Sequence, residues 1–198
     1  MRKFKMVLST LFVLGLLSGC GGSKEAAPTE AKKEAVKSNI VTIANDVELS
    51  SMDTGLATDG TSFEAIASVL EGLYQLDGAG NTIPGMAVKE EISEDGKVHT
   101  FTLRDAKWSD GQPVTANDFV FAWRRLANPK TASEYAYMIG VAGIKNAEGV
   151  MSGEKPITEL GVTAVDDKTL KVELDYPVPF FDQLAAFPPF YPIREDFL

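Results

Sequence analysis

Apolar and polar positions along residues 40–198 alternate or recur in patterns that predict short strands and helices. The β-branched run Ile40–Ala44 predicts a buried strand, and alternation over Val98–Arg104 predicts a half-buried one. Apolar side chains three and four positions apart predict a helix over Phe63–Glu71, with Ser62 as its cap. Strands interspersed with helices in this way indicate an α/β fold.

Turn sequences join further segments into antiparallel pairs. Residues Glu94–Lys97 read Glu-Asp-Gly-Lys and predict a hairpin-like turn ahead of the alternating strand. Residues Asp166–Lys168 separate two β-type runs, Gly161–Val165 and Thr169–Leu174, and so predict a second hairpin. A further helix is expected over residues 142–152.

A helix predicted from Thr115 to about residue 127 carries a capping box at its start. Asp118 follows Thr115 by three positions, so the hydroxyl can accept the Asp118 N–H while the carboxylate reaches back. Asp110 lies in a turn-forming stretch, Trp108–Pro113. A catalytic pair of Asp110 and Asp118 is an alternative interpretation, but the turn and the cap already account for both carboxylates.

The start of the chain has the charge and hydropathy pattern of a signal sequence. Three basic residues within the first five positions precede an apolar stretch, Met6–Leu17, that is too short to span a bilayer. Residues Leu16–Cys20 then resemble the lipobox of bacterial lipoproteins, in which the cysteine becomes the N-terminus and carries lipid. We therefore expect a signal peptide over 1–19 and lipidation of Cys20; an ordinary secretory signal is the alternative.

The segment after the signal and the overall charge narrow the choice of partners. Residues 20–39 contain one Val as their only sizeable apolar side chain, which predicts a flexible tether. The net charge is −9 at pH 7, and removal of the three cations of the signal leaves −12. Such an acidic chain is not expected to bind nucleic acid or to adhere electrostatically to anionic lipid. Residues 40–198 are expected to form one domain.

Few residues are suited to catalysis or to metal binding. Cys20 is the only cysteine and His99 the only histidine, so no disulfide framework and no second base for a nucleophile–base set exists. We expect His99, on the alternating strand, to face solvent. No HExxH, CxxC, Walker A or GxGxxG spacing occurs, so no cofactor and no metal is expected. A hydrolase that uses carboxylates alone stays open as an alternative.

One long stretch carries a resemblance to a known family. Residues Gly96–Arg125, above all Phe101–Phe119, are similar to the signature of family 5 solute-binding proteins, the oligopeptide- and dipeptide-binding lipoproteins of ABC importers. The similarity runs from about Ile40 to the end. Further matching stretches are Leu70–Leu73, Asn128–Ser133, Lys155–Val162 and Pro177–Phe181, of which the last two resemble the oligopeptide branch more than the nickel or haem branches.

The resemblance implies a two-lobed, periplasmic-binding-protein-like fold of type II, a venus flytrap that closes on its ligand. Family members are more than twice as long, so the chain corresponds to the N-terminal part: the first strand of the large lobe, a small additional domain, and the start of the return. We therefore expect a truncated form, with a dedicated short variant as the alternative. The apolar faces of residues 161–174 and Phe180–Tyr191 are then expected to lack partner strands and to stay exposed.

The resemblance also implies ligand-binding residues. The loop after the first strand faces the cleft in the family, and this loop corresponds to Thr58, Asp59 and Gly60. Its exposed backbone would pair with an extended peptide without reading side chains. Tyr135 matches a cleft-facing aromatic and offers an apolar face and a hydroxyl. A plain surface loop and a packing tyrosine remain the alternatives.

The function implied is that of a substrate-binding lipoprotein that captures oligopeptides for an ABC transporter. Its partners would be oligopeptides, the permease subunits and, through the lipid on Cys20, the extracytoplasmic face of the cell membrane. Alternatives are a non-binding fragment, a surface lipoprotein without a transport role, and a binder of dipeptides, nickel or another small solute. We expect the 198-residue chain alone to bind peptides only at about millimolar concentration or not at all.

Overall fold

Helices and short strands succeed one another over residues 42–198, which are the residues that this structure, a computed structural model, describes. The helices are α1 (Gly60–Val69), α2 (Ala116–Ala127), α3 (Tyr137–Val141), α4 (Ala147–Met151) and α5 (Phe181–Ala185). The strands are β1 (Tyr74–Leu76), β2 (Thr82–Pro84), β3 (Ala87–Ile92), β4 (Val98–Leu103), β5 (Val162–Asp166) and β6 (Thr169–Glu173). Single 3₁₀ turns lie at Ile157–Glu159, Pro188–Phe190 and Glu195–Phe197. The predicted signal, Cys20 and the whole of the predicted tether lie outside the described residues.

A four-stranded antiparallel sheet in the order β3-β4-β6-β5 forms the centre of residues 44–198. The hairpins β3–β4 and β5–β6 supply two strands each, and β4 joins them by pairing with β6, where Thr100 lies opposite Lys171. Strands β1 and β2 form a separate antiparallel ribbon. Both hairpins predicted from turn sequences are confirmed, and the mixed helices and strands confirm the α/β class.

Helix α2 packs on β5 and β6 and buries one apolar stripe. Phe119, Trp123 and Leu126 on this stripe are each no more than 1% exposed. The Trp123 indole N–H donates a hydrogen bond of 2.8 Å to the Phe190 carbonyl, and the two rings meet edge to face at 5.3 Å. The stripe therefore connects the segment around Phe190 to the sheet. Together, the helix, this segment and the sheet bury a continuous core.

The predicted start of α2 is confirmed. Thr115 and Asp118 form the capping box, and the Asp118 carboxylate accepts the Thr115 backbone N–H at 2.8 Å and its hydroxyl at 3.3 Å. The same carboxylate accepts the Trp108 indole N–H at 3.3 Å. Two arginines, Arg124 and Arg125, occupy the last turn, where cations favour the negative end of the helix.

The apolar side of the β5–β6 hairpin and most of that of residues 181–191 are buried, so the expectation of a contiguous exposed surface is wrong there, although Phe180 is 44% exposed. Val162, Leu170 and Val172 are 0% exposed, and Phe181 and Phe190 are 2% and 0% exposed. Other parts of residues 44–198 bury these apolar side chains, since α2 packs on the hairpin and β4 pairs with β6. The sequence predicted the apolar stripe of α2 but not that this stripe packs on these segments.

Two further expectations differ from the structure. Thr42, Ile43 and Ala44, the described part of the strand predicted over 40–44, are exposed and have no regular structure. A β-branched run favours extended backbone, but a strand also needs a neighbour for its hydrogen bonds. The helix predicted over 142–152 is shorter, because Asn146 has a left-handed backbone (φ 65°) and α4 begins only after it.

None of the helices in residues 42–198 has the length and hydropathy that a membrane crossing requires.

Candidate functional site

The loop that leads to the predicted site residues is held by an ion pair. The Arg125 guanidinium donates to both carboxylate oxygens of Asp53, each at 2.7 Å, and both side chains are 18% exposed. The carbonyl of Asp53 in turn accepts the backbone N–H groups of Leu56 and Ala57 at 3.1 and 2.9 Å. A helix of the core therefore fixes a loop that has no regular structure of its own.

Asp59 is the N-cap of α1, which explains why this helix begins at Gly60 rather than after Ser62. Its carboxylate accepts the Ser62 backbone N–H and hydroxyl, each at 2.8 Å, and the Ser50 hydroxyl. Those hydrogen bonds, that from Ser50 first, lower the pKa of Asp59 from 3.8 to about 2. Asp59 is thus a charged group whose first role is to stabilise the helix start.

Thr58 presents free backbone groups next to this cap. It is exposed, and within residues 42–198 neither its N–H nor its carbonyl has a hydrogen-bond partner. Asp59 continues in extended conformation (φ −119°, ψ 154°), so the segment entering the helix has the backbone geometry of a strand. Gly60 is exposed, and a Cβ added there would meet no atom within 4 Å.

Tyr135 belongs to an aromatic cluster with residues from two other segments. Its ring meets Phe63 of α1 and Phe187 edge to face, each at 5.4 Å between centroids, and stacks on Tyr137 at 6.1 Å. Phe63 and Phe187 are 4.9 Å apart, so the three rings contact one another. Because Phe63 lies one helical turn after Gly60, the cluster brings Tyr135 beside the helix that Thr58–Gly60 begins.

A cavity of about 620 Å³ opens beside this aromatic cluster. It is bordered by α1, the segment around Tyr135, strand β1 and helix α5. Its lining is mostly apolar and includes Phe63, Ala67, Leu76, Tyr135, Tyr137, Met138, Phe180, Leu184 and Phe187, with the amides of Gln75 and Gln183. Among residues 42–198, Glu64 is the only charged side chain that lines it. We refer to this cavity as the aromatic groove.

Phe63 and Phe187 were not predicted to take part in a site. Phe63 fits the apolar stripe of its helix, and Phe187 lies in a Pro-rich apolar stretch, so both residues suggest packing. The sequence shows only that Phe63 follows Thr58–Gly60 closely and that Phe63, Tyr135 and Phe187 are large aromatic residues. Their meeting depends on tertiary contacts across up to 124 positions, which no local pattern contains.

The alternative of a catalytic carboxylate pair is not supported by the contacts of Asp110 and Asp118. Arg194 donates to the Asp110 carboxylate at 2.5 Å, and this hydrogen bond lowers the pKa of Asp110. Asp118 is occupied by the capping box of α2. Each carboxylate therefore has a structural partner of its own.

His99 does not face solvent, so that expectation is wrong. It is 4% exposed, and its Nδ1 lies 2.7 Å from a Glu90 carboxylate oxygen, while the Tyr74 hydroxyl donates to the other oxygen at 2.7 Å. Burial raises the pKa of Glu90, but the hydrogen bonds from His99 and Tyr74 outweigh it and hold the pKa below its usual value. His99 shares the buried face of β4 with Phe101 and Leu103, and the phase of the alternation contained this information.

The sequence of this chain matches a family of known proteins. The sequence profile of the bacterial extracellular solute-binding proteins, family 5 Middle, matches residues 81–197. The oligopeptide-binding protein OppA of Bacillus subtilis is 40% identical over 195 residues, which is 98% of this chain and 35% of that protein. The periplasmic murein peptide-binding protein MppA of Escherichia coli is 44% identical over 149 residues, 75% of this chain and 28% of that protein.

A solved structure shows the same fold. The substrate-binding domain of an oligopeptide ABC transporter from Bacillus anthracis superposes with a TM-score of 0.71 and 55% identity, over 74% of this chain and 28% of that one. The chain thus spans about a third of the length of the curated relatives that it matches. Within that span, the expected periplasmic-binding-protein-like architecture is confirmed.

Proposed function

This chain belongs to the bacterial extracellular solute-binding proteins of family 5, and from that membership we propose that its described part forms one wall of an oligopeptide-binding site. Relatives that are 40% and 44% identical bear the names of oligopeptide- and murein peptide-binding proteins. The proposed role is to bind peptides outside the cytoplasmic membrane and deliver them to the permease subunits of an ABC transporter. It is a binding role, without catalysis.

The observation that carries the proposal is the backbone of Thr58, which has no hydrogen-bond partner within residues 42–198 and lies next to the extended residue Asp59, at the start of the helix α1 that lines the aromatic groove. An extended peptide needs backbone partners that do not depend on its sequence, and the Thr58 N–H and carbonyl supply them. The groove beside them offers apolar and aromatic surface for peptide side chains. Such a lining favours peptides over a hydrated metal ion, because its polar groups are few.

Anchoring by lipid on Cys20 completes the proposed role. A lipid on this residue would hold the folded domain at the extracytoplasmic surface through the polar segment 20–39. Peptides would then be captured next to the transporter that imports them.

The test is an NMR titration of the isotope-labelled 198-residue chain with penta-alanine and with its backbone N-methylated analogue. Penta-alanine should shift the amide signals of Thr58–Gly60 with a dissociation constant of about a millimolar, since the described residues contact a peptide from one side only. The N-methylated analogue should shift them far less, because it lacks the N–H donors. Signals that move elsewhere but not at Thr58–Gly60 would reject this site.

A tyrosine pair supplies the matched control. Tyr135→Ala should weaken the binding of penta-alanine several-fold by removing the ring beside α1. Tyr176→Ala, at a 52% exposed tyrosine that does not line the groove, should leave binding unchanged.

A further inference from the structure

The segment that contributes α1 and β1 to the aromatic groove is acidic. Residues 42–88, which include α1 and β1, contain seven carboxylate side chains and no Lys, Arg or His. Within the described residues, two of the seven have a cationic partner: Asp53 pairs with Arg125, and Glu71 pairs with Arg104. The remaining five have no ion-pair partner there, so the segment that contributes α1 and β1 to the groove carries an excess of negative charge.

Glu64 places one of these charges at the groove itself. It lies on α1, is exposed, and is the only charged residue that the described part of the chain contributes to the lining. The apolar surface beside it is also accessible, since Leu76, Tyr137 and Phe180 are 54%, 56% and 44% exposed. An entering side chain would therefore meet apolar surface, aromatic rings and a single carboxylate.

We propose that the aromatic groove selects a basic side chain, arginine or lysine, of the bound peptide; this inference rests on the proposed function. The methylene stem of such a side chain packs on the apolar lining, while its cation reaches the Glu64 carboxylate and the face of an aromatic ring. Arginine suits the site best, because its planar guanidinium can stack on a tyrosine and donate to a carboxylate. An acidic side chain gains neither interaction and is repelled by Glu64.

A neutral apolar side chain distinguishes this proposal from a merely hydrophobic pocket. Norleucine has a stem like that of lysine but carries no charge, so it measures the contribution of the apolar lining. Any preference for arginine over norleucine then measures the carboxylate and the aromatic faces.

The test compares three peptides, Ala-Ala-Xaa-Ala-Ala with arginine, norleucine or glutamate as Xaa, in NMR titrations of the 198-residue chain. At low salt the arginine peptide should bind roughly three- to tenfold tighter than the norleucine peptide, and the glutamate peptide should bind weakest. Glu64→Gln should remove most of the preference for arginine and partly restore binding of the glutamate peptide. Glu94→Gln, at an exposed turn that does not line the groove, is the matched control and should change nothing.

The remaining outcomes of these titrations distinguish a failure of this inference from a failure of the proposed function. Equal affinities of the arginine and norleucine peptides, or equal effects of Glu64→Gln and Glu94→Gln, would overturn this inference while the proposed peptide site stands. Failure of all three peptides to bind would overturn the proposed function and this inference with it. Raising the salt concentration from 50 to 500 mM should reduce the preference for arginine, because screening weakens exposed charge pairs.

Discussion

Arg125 and Asp53 are 72 positions apart in the sequence, yet the guanidinium of one donates two parallel hydrogen bonds of 2.7 Å to the carboxylate of the other. This pair connects the last turn of α2, which belongs to the core, to the loop that carries Thr58. The order of the proposed site thus depends on a residue that does not belong to it.

Breaking this pair should destabilise the fold and loosen the loop. Asp53→Asn leaves the guanidinium with a neutral partner, and we expect a loss of about 2 kcal/mol in the free energy of unfolding, as for other hydrogen bonds to charged groups. Chemical denaturation measures this loss, and amide hydrogen exchange should show faster exchange in residues 53–60. Glu91→Gln is the control: its carboxylate and the Lys89 ammonium are 64% and 63% exposed, so this pair should contribute little to stability. Equal effects of the two variants would contradict the anchoring role.

The capping box should show a graded response. Thr115→Ala should cost about 1 kcal/mol through loss of the cap. Asp118→Ala should cost more, because it removes the acceptor for the Thr115 N–H, the Thr115 hydroxyl and the Trp108 indole. Asn117→Ala, at an exposed position in the first turn between them, is the control and should be nearly neutral. Thermal and urea unfolding measure all three, and a neutral Asp118→Ala would show that the helix start is held by something else.

Asp59 should make stability depend on pH in the acid range. Its pKa is lowered from 3.8 to about 2 in the folded protein. A carboxyl whose pKa falls on folding stabilises the fold above its unfolded pKa and loses that contribution as the pH falls through its folded pKa. The stability difference between wild type and Asp59→Asn should therefore shrink between pH 5 and pH 2. Ser50→Ala removes the strongest donor and should raise the pKa of Asp59, which ¹³C NMR of the carboxyl measures directly; an unchanged pKa would contradict this assignment.

Cys20→Ala tests the proposed anchor in a bacterial host. Without the thiol no lipid can be attached, so we expect the protein to be released into the medium or to remain an uncleaved precursor. Cell fractionation and the mass of the mature N-terminus distinguish these outcomes. Ser23→Ala, in the same polar segment, should leave anchoring unchanged. Membrane retention of Cys20→Ala with correct processing at the same site would refute the lipoprotein assignment.

Local patterns predicted the elements that local interactions determine. Helix α2 was placed correctly because its apolar stripe, its capping box and the following Asn-Pro all agree on the same bounds. The helix at Gly60 was placed three residues late, because Ser62 and Asp59 are both good caps and only the hydrogen bonds show which one is used. His99 was misjudged because its polarity was weighed more heavily than its position in phase with Phe101.

The site itself depends on contacts that the sequence does not encode locally. Thr58, Asp59, Gly60 and Tyr135 came from a family resemblance, and their roles as ligand-binding residues remain a prediction. What brings Tyr135 beside α1 is its contact with Phe63, a residue 72 positions earlier in the chain. The ion pair of Arg125 is equally distant in sequence, and neither contact has a periodic signature.

The position of β4 between β3 and β6 also affects how the chain folds. The β3–β4 hairpin closes locally, but Thr102 of β4 also pairs with Thr169 of β6, which lies 67 positions later in the chain. The second edge of β4 therefore has no partner until β6 has been synthesised. On a ribosome this delay amounts to roughly 3 to 13 s at about 5–20 residues per second. During that interval Phe101 and Leu103 lack their final cover, although α2 has already been synthesised. Substitutions that weaken α2 should therefore increase aggregation of the nascent chain more than their effect on the finished protein would suggest.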